Sequence, residues 1–308
     1  MISVVVPFFN EEESVRELHA RLFLTLRKVG KPFEIIFVDD GSRDGTFEEI
    51  KKLAPVRAFR LRVNSGQTAA FGCGIREARG DIIVTLDGDL ENQPEDIPHL
   101  LEKLGKGYDV VAGWRKNRWS GEFFTRRMPS ILANSLISRI TGVRLHDHGS
   151  NLRVYKKQVF DGVEFRGEMH RMLAAYLGLH GAKVTEIPVS YVPRKFGKSK
   201  YGLSRTFKVL LDVLSLHFFR KYATRPMHFF GYAGFISMGL GFLAFLWALY
   251  LRIGEGIHFI RTPLPLVIAI FIVVGFQFIL MGLLAEILTR PRQEGRIHVY
   301  DISEQVER

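Results

Sequence analysis

Through the first third of the chain, short apolar runs alternate with amphipathic stretches and polar loops. Residues 2–6 (Ile-Ser-Val-Val-Val) read as a buried strand that Pro7 stops, and 33–38, 58–63 and 82–86 read as further strands. Between them, 11–29, 46–53 and 67–78 carry helical spacing. Asn10 stands where an N-cap belongs, with acidic residues in the turn that follows. Strands alternating with helices predict an α/β domain with a parallel sheet. The polar groups cluster where strands end, at Asn10-Glu11, Asp39-Asp40 and Asp87-Gly88-Asp89. In a parallel sheet these loops emerge on one edge, so carboxylates distant in sequence converge on one ligand. From Asp109 to about Gly202 the pattern continues as mixed α/β, and 130–141 and 205–222 are amphipathic with basic margins. The second leads straight into an apolar stretch and is expected to lie in a membrane interface. The first fits either that setting or the soluble core.

The pattern changes character after residue 225. No Asp, Glu, Lys or Arg occurs from 226 to 251, nor from 262 to 285. Each stretch exceeds the roughly 20 residues that cross a hydrocarbon core as a helix, so two transmembrane helices are expected. Arg220, Lys221 and Arg225 precede the first; Arg290, Arg292 and Arg296 follow the second; only Arg252 and Arg261 are basic between them. The positive-inside bias then puts the preceding domain and both termini in the cytoplasm. Met1 leads directly into the first apolar run, without a basic n-region or cleavage site, so no signal peptide is expected. The expected organisation is a domain over 1–204, an interfacial helix and linker over 205–226, two spans over 227–290, and a polar, mobile cytoplasmic tail over 291–308.

With 308 residues, 47% of them hydrophobic, the chain is long enough for one full soluble domain besides these spans. Its net charge of +11 is uneven: residues 1–100 hold 13 Lys and Arg against 17 Asp and Glu, and 101–308 hold 30 against 15. The positive excess begins after Asp87-Gly88-Asp89 and implies an anionic partner. Two spans, and no basic–aromatic recognition module, turn that partner from a nucleic acid to a membrane surface or a phosphorylated substrate. The lone Cys73 excludes an internal disulfide and a thiolate metal cage, which fits a reducing compartment. Asp87 and Asp89, just beyond a buried strand, offer hard oxygen ligands to Mg²⁺ or Mn²⁺. An isolated Asp-x-Asp is as readily a solvated turn, so its company decides.

That company is an ordered series. It runs Pro7-Phe8-Phe9-Asn10-Glu11, then Val38-Asp39-Asp40-Gly41-Ser42-Arg43-Asp44-Gly45-Thr46, then Leu86-Asp87-Gly88-Asp89-Leu90-Glu91. Gly113-Trp114-Arg115, Arg194-Lys195-Phe196-Gly197-Lys198-Ser199-Lys200-Tyr201 and Arg225-Pro226-Met227-His228-Phe229-Phe230-Gly231 follow. Each string alone is weakly specific. In this order, with two spans, the set resembles the family 2 glycosyltransferases of GT-A fold. Within them it is similar to the polyprenyl-phosphate sugar transferases typified by dolichyl-phosphate mannose synthase, over residues 2 to 231. The resemblance implies a Rossmann-like (GT-A) nucleotide-sugar-binding α/β domain with interfacial helices and two C-terminal transmembrane helices. It implies that Pro7, Asn10, Glu11, Asp39 and Asp40 hold the base and ribose of a nucleotide-sugar. Asp87 and Asp89 match carboxylates that bind the Mg²⁺ or Mn²⁺ bridging to the donor diphosphate. Glu91 stands where the family usually has Gln and is kept as a third metal ligand. Arg194, Ser199 and Lys200 match a loop that closes over the pyrophosphate. Arg115 and Arg126 match arginines that grip the lipid phosphate, with Arg127 the neighbouring competitor for the second place. Asp89, Arg115 and Asp147 are expected to carry catalysis. Asp147 would orient or deprotonate the acceptor, and a loop-capping role is the alternative.

These residue types suit the chemistry. A nucleoside diphosphate gathers negative charge as it leaves, which a divalent ion and nearby Arg or Lys stabilise. The nucleophile, a phosphate oxygen of the lipid, is already anionic and needs positioning more than a strong general base. Arginine supplies that with a fixed fork of donors. The resemblance implies inversion by a single displacement. The expected function is transfer of a hexose to dolichyl or undecaprenyl phosphate at the cytoplasmic face, with GDP-mannose the first donor and UDP-glucose the second. The expected partners are the nucleotide-sugar, the lipid phosphate and the membrane, not a nucleic acid; the oligomeric state is open. A catalytically silent membrane scaffold would not need the site carboxylates. A processive polysaccharide synthase would carry Gln-x-x-Arg-Trp and more spans, which the sequence lacks. His146-Asp147-His148 has no third and fourth zinc ligand nearby. Gly72-Cys73-Gly74 reads as close helix packing.

Overall fold

The computed structural model describes residues 1–116, 118, 128–165, 167–193, 222, 225–289 and 301–307. The chain divides into two compact units, Met1–Val213 with Ile297–Arg308, and Leu214–Arg296.

In the first unit β1 (Ile2–Phe8), β2 (Phe33–Asp39), β3 (Arg57–Leu61) and β4 (Ile82–Thr85) pair in parallel, with β1 central between β2 and β4. The helices α1 (Val15–Val29), α2 (Thr46–Lys51) and α3 (Gln67–Glu77) connect them. Then come α4 (Ile97–Leu104), β5 (Val110–Trp114), α5 (Met128–Thr141), β6 (Arg153–Lys156), α6 (Leu173–Leu179) and β7 (Val184–Pro188). With β8 (Ile302–Glu307), the sheet order is β7-β5-β6-β4-β1-β2-β3-β8.

Every residue of β1 is buried, as befits a strand covered on both faces. On one face Val15, Leu18, Leu22 and Leu26 of α1, spaced by three and four, join the core with Val4, Val6 and Phe8. On the other face α3 lies close because it carries glycine. A Cβ on Gly74 would run into Val5 Cγ1 and come within 3.2 Å of Val38 Cγ2, which is the packing its sequence context predicts. Cys73 is buried beside it, and burial pushes its thiol up to about 12, so it is an inert core residue.

Four sequence expectations need correction. Pro7 does not stop β1, which continues to Phe8. Pairing with β4 ends at Val5, so the missing Pro7 N–H leaves no bond unmade on that side. The first helix begins at Val15 with Ser14 as its N-cap residue, because Asn10 lies in the left-handed region (φ 55°) and is used elsewhere. The sheet is mixed: β6 runs antiparallel to both β4 and β5. Its first residue therefore sits at the edge where β4 and β5 end. Finally, the tail expected to be mobile contributes β8, antiparallel to β3, through Ile302–Glu307.

The second unit holds α7 (Pro226–Gly254) and α8 (Leu264–Thr289), both long and apolar enough to cross a membrane. Their backbones meet at Gly234 and Gly275. A Cβ on the first would lie 2.8 Å from Gly275 O, and one on the second 2.9 Å from Gly234 O. Such close approach lets dispersion and carbonyl contacts hold two helices together in lipid. The Ser237 hydroxyl donates to Phe271 O at 2.7 Å, and Glu286 accepts from Met227 N at 3.4 Å, in the first turn of α7.

Candidate active site

The ends of β1, β2, β3, β4 and β5 and the starts of β6 and β8 share one edge of the sheet. Asp87, two residues beyond β4, is half-buried there within a collar of amides. Asn151 Nδ2 donates to its carboxylate at 2.9 and 3.3 Å, Gln67 Nε2 at 2.5 Å and Asn92 Nδ2 at 3.5 Å. Burial, then the adjacent Asp89 charge, raise the Asp87 carboxyl above its ordinary value, against the pull of Asn151 and Arg115. Gly88 is squeezed between them: a Cβ there would lie 2.6 Å from Phe8 Cδ1 and 3.0 Å from Pro7 O. Ser14 Oγ donates to Gly88 O at 2.6 Å. Leu90, next but one, is held at φ 62°, a region costly for a bulky side chain. Strain of this kind persists where surrounding contacts impose it, and clusters at functional loops.

Asp89 Oδ1 accepts from Glu91 N at 3.1 Å. Among the described residues, no group of three or more His, Cys, Asp or Glu side chains is gathered as a cation cage. The charge of Glu91 acts on Asp87 as well as on Arg115 and Arg118. The two aspartates by themselves fit Mg²⁺ or Mn²⁺. They are hard oxygen donors whose mutual repulsion a cation relieves, and two protein ligands leave room for diphosphate oxygens.

The loops after β1 and β2 zip together. Asn10 N donates to Ser42 Oγ at 2.9 Å, Arg43 N to Asn10 Oδ1 at 2.9 Å, and Glu11 N to Thr46 Oγ1 at 2.9 Å. Asp39 is fully buried; its Oδ1 accepts from Ser42 N at 3.1 Å and its Oδ2 lies 3.3 Å from Arg60 Nε. Asp40 accepts from Ser65 N at 2.7 Å, Gly66 N at 2.9 Å and Asn64 Nδ2 at 3.1 Å. Burial pushes its carboxyl up to about 6 in spite of those donors. Pro7, Asp39 and Asp40 are thus turned into the protein, while Asn10 is exposed. A cavity of about 460 Å³ opens beside this loop pair, lined by Phe9, Gly41, Ser42, Arg43, Arg60, Arg62, Val63, Asn64, Ser303 and Glu304.

Across the edge, Arg115 follows β5 and is only 5% exposed. It holds Asp147 in a two-pronged pair, Nε to Oδ2 at 2.7 Å and Nη2 to Oδ1 at 3.0 Å. Burial raises the Asp147 carboxyl, but the charge and hydrogen bonds of Arg115, with the charge of Arg118, outweigh it and hold the group at about 2. The Asp147 carboxylate is thus turned to the arginine. Arg115 in turn is buried and engaged by Asp147. Trp114 stacks on His146 at 4.3 Å, and His146 Nδ1 pairs with Glu186. His148 is buried, with its Nε2 3.0 Å from Ser138 Oγ; burial, then the Arg153 charge, lower its imidazole to about 4. The His-Asp-His string therefore splits three ways.

Arg126, Arg127, Arg194, Ser199 and Lys200, and all but Tyr222 of the amphipathic helix expected over 205–222, lie outside the described residues. The segment leading into 194–200 is anchored at the site. Asn92 bridges Tyr191, Val192 N donates to Glu91 O at 3.1 Å, and Val189 N to Trp114 O at 2.9 Å. Sequence reasoning missed Gln67, Asn92, Asn151 and Arg118. Asn151 alone had a signal, standing four residues after Asp147 and two before β6.

Glycosyl transferase family 2 matches the chain over residues 3–163. Dodecaprenyl-phosphate galacturonate synthase of Rhizobium johnstonii is 42% identical over 300 residues, 94% of this chain and 88% of that protein. Undecaprenyl-phosphate 4-deoxy-4-formamido-L-arabinose transferase of Pseudomonas fluorescens is 36% identical over 301 residues, 96% of this chain and 86% of the other. Among solved structures, glucosyl-3-phosphoglycerate synthase from Mycobacterium tuberculosis, in complex with Mn²⁺, UDP and phosphoglyceric acid, shares the fold. Its TM-score is 0.55 at 19% identity, covering 71% of this chain and 78% of that one.

Proposed function

The chain belongs to glycosyltransferase family 2, and from that premise we propose that it transfers a sugar from a nucleotide-sugar to a polyprenyl phosphate at a membrane face. The observation that carries this reading is the meeting of Asp87 and Asp89 with the zipped nucleotide-side loops and a buried Arg115 on one sheet edge. The full-length relatives named for polyprenyl phosphates span the two apolar helices as well. A divalent cation bound by Asp87 and Asp89 would neutralise the donor diphosphate. The Asn151, Gln67 and Asn92 amides fix the Asp87 carboxylate for that task. Arg115, aimed by Asp147, is a fixed positive charge behind the site. It lowers the cost of bringing an anionic acceptor beside an anionic donor. In the displacement, a lipid-phosphate oxygen forms the new bond to the anomeric carbon as the bond to the diphosphate oxygen breaks. The electron pair leaves with the nucleoside diphosphate and the anomeric configuration inverts. Arg194, Ser199 and Lys200, which the resemblance matches to a loop over the pyrophosphate, follow the Asn92–Tyr191 bridge in the sequence. With α7 and α8 inserted in the membrane and the catalytic unit cytoplasmic, the acceptor phosphate lies at the membrane surface.

The sugar is a finer question. Mannose from GDP-mannose is the sequence expectation. The relative at 42% identity is a galacturonate synthase by name, which ranks a nucleotide-activated galacturonate above mannose and glucose. The test is a panel of UDP-galacturonate, UDP-glucose and GDP-mannose, each radiolabelled, with the purified protein, undecaprenyl phosphate and Mn²⁺. Label is expected in the organic phase from UDP-galacturonate. Label from no donor overturns the transferase reading, and label from GDP-mannose alone overturns the ranking.

A further inference from the structure

The cavity beside the nucleotide-side loops has a wall that the family-matched residues do not supply. Phe9, Ser42 and Arg43 come from the ends of β1 and β2, Arg60 from β3, and Ser303 and Glu304 from β8. We infer that β8 is part of the donor site, with Ser303 and Glu304 walling the nucleobase end and β8 docking coupled to nucleotide binding. This rests on the nucleotide-sugar reading above.

Three observations support it. The first is place and size: a volume of about 460 Å³, opening against Ser42 and Arg43, is in the range of pockets that bury a small ligand. Its lining offers an aromatic ring, arginines, hydroxyls and one carboxylate, the mixture that stacks a base and bonds its edge. The second is mechanical continuity. Ser303 Oγ donates to Arg60 O at 3.1 Å, and Glu304 pairs in register with Arg60. Arg60 itself reaches Asp39 at 3.3 Å and Ser42 O at 3.1 Å. The pairing slips between Arg60 and Leu61, so the irregular point of the ladder lies at the cavity wall. Movement of β8 is thereby felt at Asp39 and Ser42.

The third is how lightly β8 is held. Ile302 and Val306 are half-buried and the other four residues exposed, so main-chain pairing and surface ion pairs fix the strand. Arg62–Asp301 at 2.8 Å, Lys51–Glu304 at 3.4 Å and Arg79–Glu307 at 2.8 Å are of the weak, solvent-screened kind, and Glu307 also lies 3.8 Å from the buried Arg57. An edge segment with little apolar burial opens at low free-energy cost. A ligand that touches it only when docked stabilises the docked form by linkage.

The test uses the full chain in detergent with UDP and GDP, each with Mn²⁺, as probes. Hydrogen exchange of 302–307 is expected to slow when the better-bound nucleotide is added. Glu304→Ala keeps the backbone ladder and is expected to weaken nucleotide binding about tenfold, the scale of one or two lost hydrogen bonds. It should raise KM for the sugar donor alike while leaving KM for undecaprenyl phosphate unchanged. Removal of 301–308 should weaken the nucleotide further. Unchanged exchange in the intact protein, or unchanged nucleotide affinity in Glu304→Ala, overturns the role of β8 while the transferase reading stands. If the intact protein binds neither nucleotide, the donor reading itself falls.

Discussion

Between Asp87 and Asp89 the protein has space for a hydrogen and nothing larger, since a Cβ on Gly88 would meet Phe8 and the Pro7 carbonyl. Gly88→Ala must push the carboxylate loop off β1, and small displacements at a reacting centre are expensive. It is expected to lower kcat/KM at least about tenfold with the melting midpoint little changed, read by transfer assay and scanning fluorimetry. Asp147→Asn acts differently: it removes the hydrogen-bonded counter-charge of the buried Arg115, a loss typically of about 3–5 kcal/mol. The sign of its pH dependence follows from a folded-state value of about 2, below the ordinary 3.8. Asp147 contributes stability that is complete above about pH 4 and is lost as pH falls toward about 2. Unfolding of the wild type should show that acid limb and the Asn variant should lack its Asp147 share. An identical acid limb in both would contradict the pairing. At this scale the Asp-Gly-Asp motif is plain in the sequence. The amides that hold Asp87 are not, because Asn151 is brought to it by the β4–β6 register.

The elements whose apolar spacing is local are legible: β1 to β4, α1 to α3 and the two long helices each fall within a few residues of the sequence expectation. What fails depends on pairing. Nothing in 153–156 or 302–307 announces that β6 and β8 run against their neighbours. Pro7 looks like a terminator unless the short reach of β4 is taken into account. The helix pair offers a test of its own. Gly234→Leu would thrust a side chain into the Gly275 carbonyl, and the altered unit is expected to lose thermal stability in detergent. Because Gly234 belongs to the other unit, UDP affinity should stay as in the wild type. An unaltered midpoint would contradict the close crossing.

For the molecule as a whole, the charge asymmetry and the two uncharged stretches point to a membrane and a phosphate-bearing partner from the amino-acid order alone. The donor side of the site is legible as a set of strand-end loops, but not the inward turn of Asp39 and Asp40, which depends on burial by Arg60 and the 64–66 turn. The metal-site expectation centres on Asp87 and Asp89, the pair just beyond β4. The account stands on that pair serving sugar transfer to a lipid phosphate. Its most direct test compares wild type with Asp89→Ala in proteoliposomes containing undecaprenyl phosphate, Mn²⁺ and the labelled donor that the panel selects. Organic-phase label from the wild type, and its loss in the variant with expression and insertion intact, is the expected result. Equal transfer by Asp89→Ala would contradict the account.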